Sequence, residues 1–120
     1  VPAAAVDPND ADPRGMAVVA ADRNKAGVVV DLWIDRGEPQ IRYIEVETNS
    51  GKRVLLPMVF ALIDGFRKEV KVDAIMSNQF DNVPATATRD VVTKLEEDRI
   101  AAYFGAGLLY ATPKRTGDIL

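Results

Sequence analysis

The side chains best suited to chemistry lie together in residues 31–43, which read DLWIDRGEPQIRY. Asp35 and Glu38 enclose an Arg-Gly step between two apolar-rich runs, and Arg42 follows four residues after Glu38. A turn that brings two carboxylates together raises the pKa of one of them, and a nearby arginine lowers it again, so such groups can pass protons. The alternative is a solvated hairpin turn whose surface ion pair contributes almost nothing to stability. The residues taken alone favour this alternative.

Three further features of the sequence can each be explained either by structure or by function. Acids cluster at residues 96–98, EED, where the positive end of a helix dipole favours them, and a metal site there gains no support from their spacing. The GAG step at residues 105–107 lacks the glycine pattern of nucleotide binding, so close backbone packing or a chain reversal explains it better. Trp33 has core packing as its default role, although strand alternation could place it on the exposed face.

The composition excludes several kinds of chemistry. The chain has no cysteine and no histidine, so thiolate catalysis, Cys/His zinc sites and histidine general bases are excluded within it. No nucleophile elbow or phosphate-binding loop is present, and we expect a protein that is not an enzyme and that binds no metal or cofactor itself. A net charge of −3 disfavours nucleic acid as the main partner. No run approaches the roughly 20 apolar residues that span a bilayer, so the chain alone is expected to be soluble.

The pattern of short apolar runs predicts a β-rich segment over residues 15–76, after an extended arm or linker at 1–14. Five or six short strands follow one another, joined by local turns, which is typical of a small antiparallel barrel or curled sheet. The Asp64-Gly65 step predicts a two-residue hairpin turn. Alternation after it places Val70, Val72 and Ala74 inward.

The remaining residues, 77–120, predict a C-terminal loop and helical extension packed on the barrel. Residues 77–84 are typical of a short helical turn and loop, and Thr93 with Glu96 fits a capping box at the start of a helix. The glycines at 105 and 107 are expected to loosen or end that helix.

Three stretches together resemble one family. They are DPRGMAVVAAD with AGVVVDLWID, then RYIEVET with LLP, and then LEEDRIAAYFGAGLLYATPKR. Over about residues 12–115 they are similar to the cytoplasmic domain of the H subunit of the purple-bacterial photosynthetic reaction centre. The resemblance implies a mainly β fold, a small antiparallel PRC-type β-barrel followed by a C-terminal helical segment.

In function, the resemblance implies a domain that caps the L and M subunits at the cytoplasmic face of the bacterial inner, intracytoplasmic photosynthetic membrane. The domain would support assembly and the delivery of protons to the secondary quinone. It would bind no cofactor itself, because bacteriochlorophyll, bacteriopheophytin, quinone and non-haem iron are expected in the partner subunits.

Carried over position by position, the resemblance assigns five residues. Asp35 and Glu38 fall where the family lines its proton-uptake route, and Trp33 lies two residues before the aspartate. Arg42 and Glu97 fall in the charged region that faces L and M, where ion pairs are expected. These assignments imply proton transfer for the first pair and a subunit interface for the other three residues.

Two departures from the family accompany the resemblance. The family's N-terminal membrane helix is missing from this sequence, so we expect membrane association to depend on that helix and on the partner subunits. With no histidine, this chain cannot contain the whole proton route. The alternative function is a free-standing PRC-barrel adaptor that binds another protein, similar to the domain in ribosome-maturation factors.

Overall fold

The computed structural model describes residues 12–35, 37, 40–88 and 91–109. Its strands and its helix are β1 (Ala17–Val19), β2 (Lys25–Ile34), β3 (Ile41–Thr48), β4 (Arg53–Pro57), β5 (Leu62–Asp64), β6 (Glu69–Lys71) and α1 (Lys94–Leu109). Two 3₁₀ turns, Met58–Phe60 and Ser77–Asn82, lie between them. The predicted fold class, a small mainly β domain followed by a helical segment, is confirmed.

The six strands form one sheet in the order β4-β3-β2-β1-β6-β5. Four neighbouring pairs are antiparallel, whereas β1 and β6 are parallel, with Val18 opposite Val70. This parallel pair departs from the expected all-antiparallel arrangement. It arises because Pro57 ends β4 and the turn Met58–Phe60 then leads into β5 without reversing the strand direction. The strands β4 and β5 are the two edges, so the sheet that the structure describes is not closed.

The turn between β5 and β6 is longer than the sequence predicted. Asp64 pairs with Glu69, so four residues, 65–68, form the turn, and the predicted length of two residues is wrong. The Asp64 carboxylate explains the difference, because its Oδ1 accepts hydrogen bonds at 3.0 Å from the backbone N–H groups of both Phe66 and Arg67. These bonds stabilise a wider turn.

The core lies between the inner face of the curled sheet and the elements that cover it. The alternation predicted after the turn is confirmed, since Val70, Val72 and Ala74 are all buried. The largest fully buried side chains come from the strands, from the 3₁₀ turn Ser77–Asn82, from α1 and from the segments that connect them: Phe80, Phe104, Ile44, Leu56, Ile75, Ile100, Val18, Val29, Val46, Val70, Val72 and Val83.

The start of α1 has the predicted capping box. The Thr93 Oγ1 accepts a hydrogen bond from the Glu96 backbone N–H at 3.1 Å, and the Glu96 carboxylate accepts one from the Thr93 N–H at 2.8 Å. The second Glu96 oxygen accepts the N–H of Ala87 at 2.5 Å, so the same side chain fastens the preceding loop to the helix.

The helix does not end at its glycines, and the expectation that Gly105 and Gly107 loosen or end it is wrong. A Cβ built at Gly107 would overlap the carbonyl oxygen of Ala74 and lie 2.7 Å from the Ile75 side chain. Close backbone packing is therefore the reason for a glycine at position 107. Position 105 faces open space.

Candidate functional site

Four of the five sequence-predicted site residues meet around one shallow depression of about 250 Å³. It is lined by residues from the end of β2, the start of β3 and the region of the α1 N-terminus: Trp33, Ile34, Asp35, Arg42, Tyr43, Val92 and Glu97. The fifth residue, Glu38, lies outside the described residues. The structure therefore brings Asp35, Arg42, Glu97 and Trp33 together, while their functional roles stay predictions.

Arg42 joins the two carboxylates of this site. Its Nη1 lies 3.1 Å from Asp35 Oδ2, and its Nη2 lies 3.5 Å from Glu97 Oε1. Asp35 and Arg42 are close in sequence, whereas Glu97 arrives from α1, 55 residues after Arg42. All three side chains are partly open to solvent, and the arginine side chain is 51% exposed. Such a network is weak while water screens it and gains strength where a partner excludes water.

The β2–β3 pairing explains why Asp35 lies beside Arg42. Trp33 pairs with Tyr43, and the register then shifts so that Ile34 pairs with Ile41. Beyond this irregularity the backbone N–H of Asp35 donates to the Gln40 carbonyl at 3.1 Å, and Asp35 Oδ1 accepts the Gly37 N–H at 2.9 Å. One carboxylate oxygen thus shapes the turn while the other holds Arg42. This double use gives Asp35 a fixed orientation at the edge of the depression.

Trp33 separates this depression from a second one of about 200 Å³. The indole is half-buried, and its Nε1–H donates to Glu45 Oε1 at 3.0 Å. The other oxygen of Glu45 pairs with Arg53 at 3.2 Å. Trp33 therefore combines the two roles considered from the sequence, because it packs against the core and also lines an open face.

Tyr43 is a residue of the site that sequence reasoning missed. Burial raises the pKa of its hydroxyl, and the nearby Glu97 carboxylate adds to this effect while Arg42 opposes it. Tyr43 lies directly opposite Trp33 in the pairing of β3 with β2. The available sequence signal for Tyr43 was that it directly follows Arg42. Strand alternation gave no indication that Tyr43 would lie near Glu97.

The arrangement offers a partner a charged surface with fixed carboxylates. Asp35, Arg42 and Glu97 together carry a net charge of −1 when the acids are ionised. A partner that covers this face would remove water from these charges and so strengthen the attraction between Arg42 and the two carboxylates.

Among the residues that the structure describes, no group of three or more Asp, Glu, His or Cys residues has an arrangement that could hold a metal ion. Among the same residues, no helix has the length and apolar character required to cross a membrane.

Fold and site together define a small β domain with a helix against its sheet and a charged outer face. The chain belongs to the PRC-barrel domain family, whose model matches residues 9–79. The matched region contains Trp33, Asp35 and Arg42, whereas Glu97 follows it. The family membership supports the fold expected from the resemblance and leaves the partner to be proposed.

Proposed function

We propose that this chain is the cytoplasmic domain of a reaction centre H subunit, which caps the L and M subunits and supports proton delivery to their secondary quinone. Membership of the PRC-barrel family supports the fold required for this role. The single observation that carries the proposal is the network in which Arg42 joins Asp35 to Glu97. It links two segments for which the resemblance implies one common face.

The exposure of this network supports a docking role. Its acids lie at the rim of an open depression, and Trp33 provides an aromatic surface between that depression and the next. Aromatic and arginine side chains are enriched at protein interfaces. A partner that covers this face would therefore meet side chains of the appropriate type, with Asp35 already oriented by its turn.

The proposed chemistry requires this chain only to hold and pass protons. A quinone that has taken up two electrons in the partner subunits also takes up two protons. Asp35, directly after β2, and Glu38, three residues further along the chain, would lie on the route of those protons. Arg42 would hold Asp35 in place, and desolvation would bring the coupled acids toward titration near neutral pH. In this role the chain is an accessory subunit rather than an enzyme.

Co-purification tests the proposed assembly. The protein that carries this domain, tagged and expressed in a pigmented purple-bacterial membrane, is expected to retain the L and M subunits after detergent extraction. The double variant Arg42→Glu/Glu97→Lys, which reverses two charges of the face, is expected to reduce that retention. The matched control Lys94→Glu/Asp98→Lys reverses an exposed pair on the same helix and should retain the partners.

Failure to retain L and M would contradict the proposed assembly. Specific retention of a ribosomal protein by the same face would instead support the free-standing adaptor.

A further inference from the structure

The free edge of the sheet carries an unusual run of exposed apolar side chains. Val59, Leu62 and Phe66 are 88%, 65% and 99% exposed, and all three fall in one short stretch around β5. The Phe66 ring is at the turn between β5 and β6, where it is almost fully surrounded by solvent. Exposing a whole aromatic ring is unfavourable in water, so this position suggests a surface that something covers.

The charges beside Phe66 indicate what kind of surface would cover it. Arg67 and Lys68 follow it directly, are both exposed, and form no ion pair with any residue that the structure describes. The acid of the turn, Asp64, is already engaged by backbone N–H groups and lies 3.5 Å from Lys71. The tip at residues 66–68 therefore presents one aromatic ring and two cations, although the whole chain has a net charge of −3.

The strand directions place this tip on a defined side of the domain. Because β5 is antiparallel to β6, β6 is parallel to β1, and β1 is antiparallel to β2, the strands β5 and β2 run in the same direction. The turn at 65–68 therefore lies at the same end of the sheet as the turn that contains Asp35.

We propose that the tip at residues 66–68 contacts an anionic lipid surface, with Phe66 at the boundary of headgroups and acyl chains. Arg67 and Lys68 would lie on the anionic headgroups. One protruding ring followed by two cations fits the layered chemistry of a lipid surface, apolar beneath an anionic layer, better than it fits an acidic protein face. A protein strand is a poorer occupant, since β5 has only three residues with which to pair. The inference rests on exposure and charge and does not require the proposed function.

A tethered tryptophan measurement tests this contact. The chain has no histidine and one tryptophan, so an added amino-terminal hexahistidine tag provides the sole attachment to vesicles that contain a nickel-chelating lipid. The variant Phe66→Trp keeps an aromatic ring at the tip, and the parent chain supplies the background signal of Trp33. Leu95→Trp is the matched control, because Leu95 is also exposed but lies on α1. The vesicles contain phosphatidylcholine with phosphatidylglycerol, with and without brominated acyl chains.

The expected result is quenching of the tryptophan at 66 by brominated lipid and no comparable quenching at 95. Adding Arg67→Gln and Lys68→Gln to the tip variant should weaken its partition about 25-fold, about fivefold for each cation. Three results would each overturn the proposal. They are no quenching at 66, equal quenching at 66 and 95, and quenching at 66 that is unchanged when both cations are replaced. A dimer in solution that Phe66→Ser dissociates, without quenching at 66, would assign the tip to a second copy instead.

Discussion

Arg42 is the residue through which distant parts of the candidate site meet. It contacts Asp35 in the turn after β2 and Glu97 in the first turn of α1. The solvent that reaches these side chains screens their attraction, and exposed ion pairs contribute about 0–1 kcal/mol to stability. Holding three charged groups in one geometry is therefore better explained by recognition than by folding.

The first prediction concerns the cost of removing this arginine from the isolated domain. Arg42→Gln is expected to lower the free energy of unfolding by less than about 1 kcal/mol, because the ion pairs are exposed. Ile44→Ala, which truncates the neighbouring fully buried residue, is expected to lower it by about 2–5 kcal/mol. Urea unfolding of both variants measures the difference. An equal loss of stability in the two variants would show that the network is structural.

At the scale of the element, α1 is defined by how its two ends contact the rest of the chain. Its start is fixed by the reciprocal bonds of Thr93 and Glu96, and the same glutamate also binds the loop at Ala87. Nearer its end, Gly107 lies against the backbone of Ala74. The helix is thus held to the domain by polar contacts at one end and by close packing at the other.

Replacement by alanine is expected to change the stability of the domain in opposite directions at the two glycines of α1. Gly105→Ala is expected to stabilise the domain by about 0.8–1 kcal/mol, because alanine is the better helix former and the site faces open space. Gly107→Ala gains the same helix propensity but is expected to destabilise the domain, because its Cβ would overlap the Ala74 carbonyl. Thermal unfolding of the two variants should show melting temperatures that move in opposite directions. A rise in both would contradict the close packing.

The hydrogen bonds of the Glu96 carboxylate predict that the stability of the folded domain decreases as the pH falls into the acid range. Hydrogen bonds from the backbone N–H groups of Thr93 and Ala87 hold the pKa of this carboxyl below its ordinary value of 4.5. A lowered pKa in the folded state means that the stabilisation is complete above the ordinary value and is lost as the pH falls through the lowered one.

The variant Glu96→Gln checks this dependence, because its side chain does not titrate. It is expected to show a smaller loss of stability between about pH 5 and pH 3 than the parent chain. Chemical unfolding at a series of pH values measures the two slopes, and Asp98→Asn on the same helix serves as the control. Identical slopes for Glu96→Gln and the parent would refute the capping role of the carboxylate.

The features that could be predicted from the sequence are those determined by residues that lie close together along the chain. The capping box of Thr93 and Glu96 and the alternation of Val70 and Val72 depend on neighbours, so they were predictable. The contact of Arg42 with Glu97 and the parallel pairing of β1 with β6 depend on residues far apart in sequence. The resemblance anticipated a common charged face, but only the folded chain shows which groups touch.

For the whole molecule, the helix that follows the family match completes the core of the matched domain. The match covers residues 9–79, whereas Ile100 and Phe104 of α1 are fully buried. The Phe104 ring stacks on Phe60 at a centroid distance of 5.5 Å and meets Phe80 edge-on at 6.2 Å. The sheet and α1 therefore share one hydrophobic core and are expected to unfold together.

Phe104→Ala tests that cooperativity. It is expected to lower the free energy of unfolding by about 3–5 kcal/mol, because it removes a buried ring between two aromatic neighbours. Far-ultraviolet and near-ultraviolet circular dichroism should then report a single, coincident transition at lower denaturant concentration. Loss of helix signal alone, with the sheet unfolding as in the parent, would show that α1 is an independent attachment.

The central claim is that the turn after β2 delivers protons to a quinone held by partner subunits, and one kinetic measurement tests it most directly. In the intact complex, Glu38→Gln is expected to slow the second electron transfer to the quinone between about pH 6 and pH 9, where coupled carboxyl groups would titrate. Asp35→Asn is expected to have a smaller or additive effect, and Asp98→Asn is the control that should leave the rate unchanged. Parent-like rates throughout that range in both single variants and in the double variant would contradict the account.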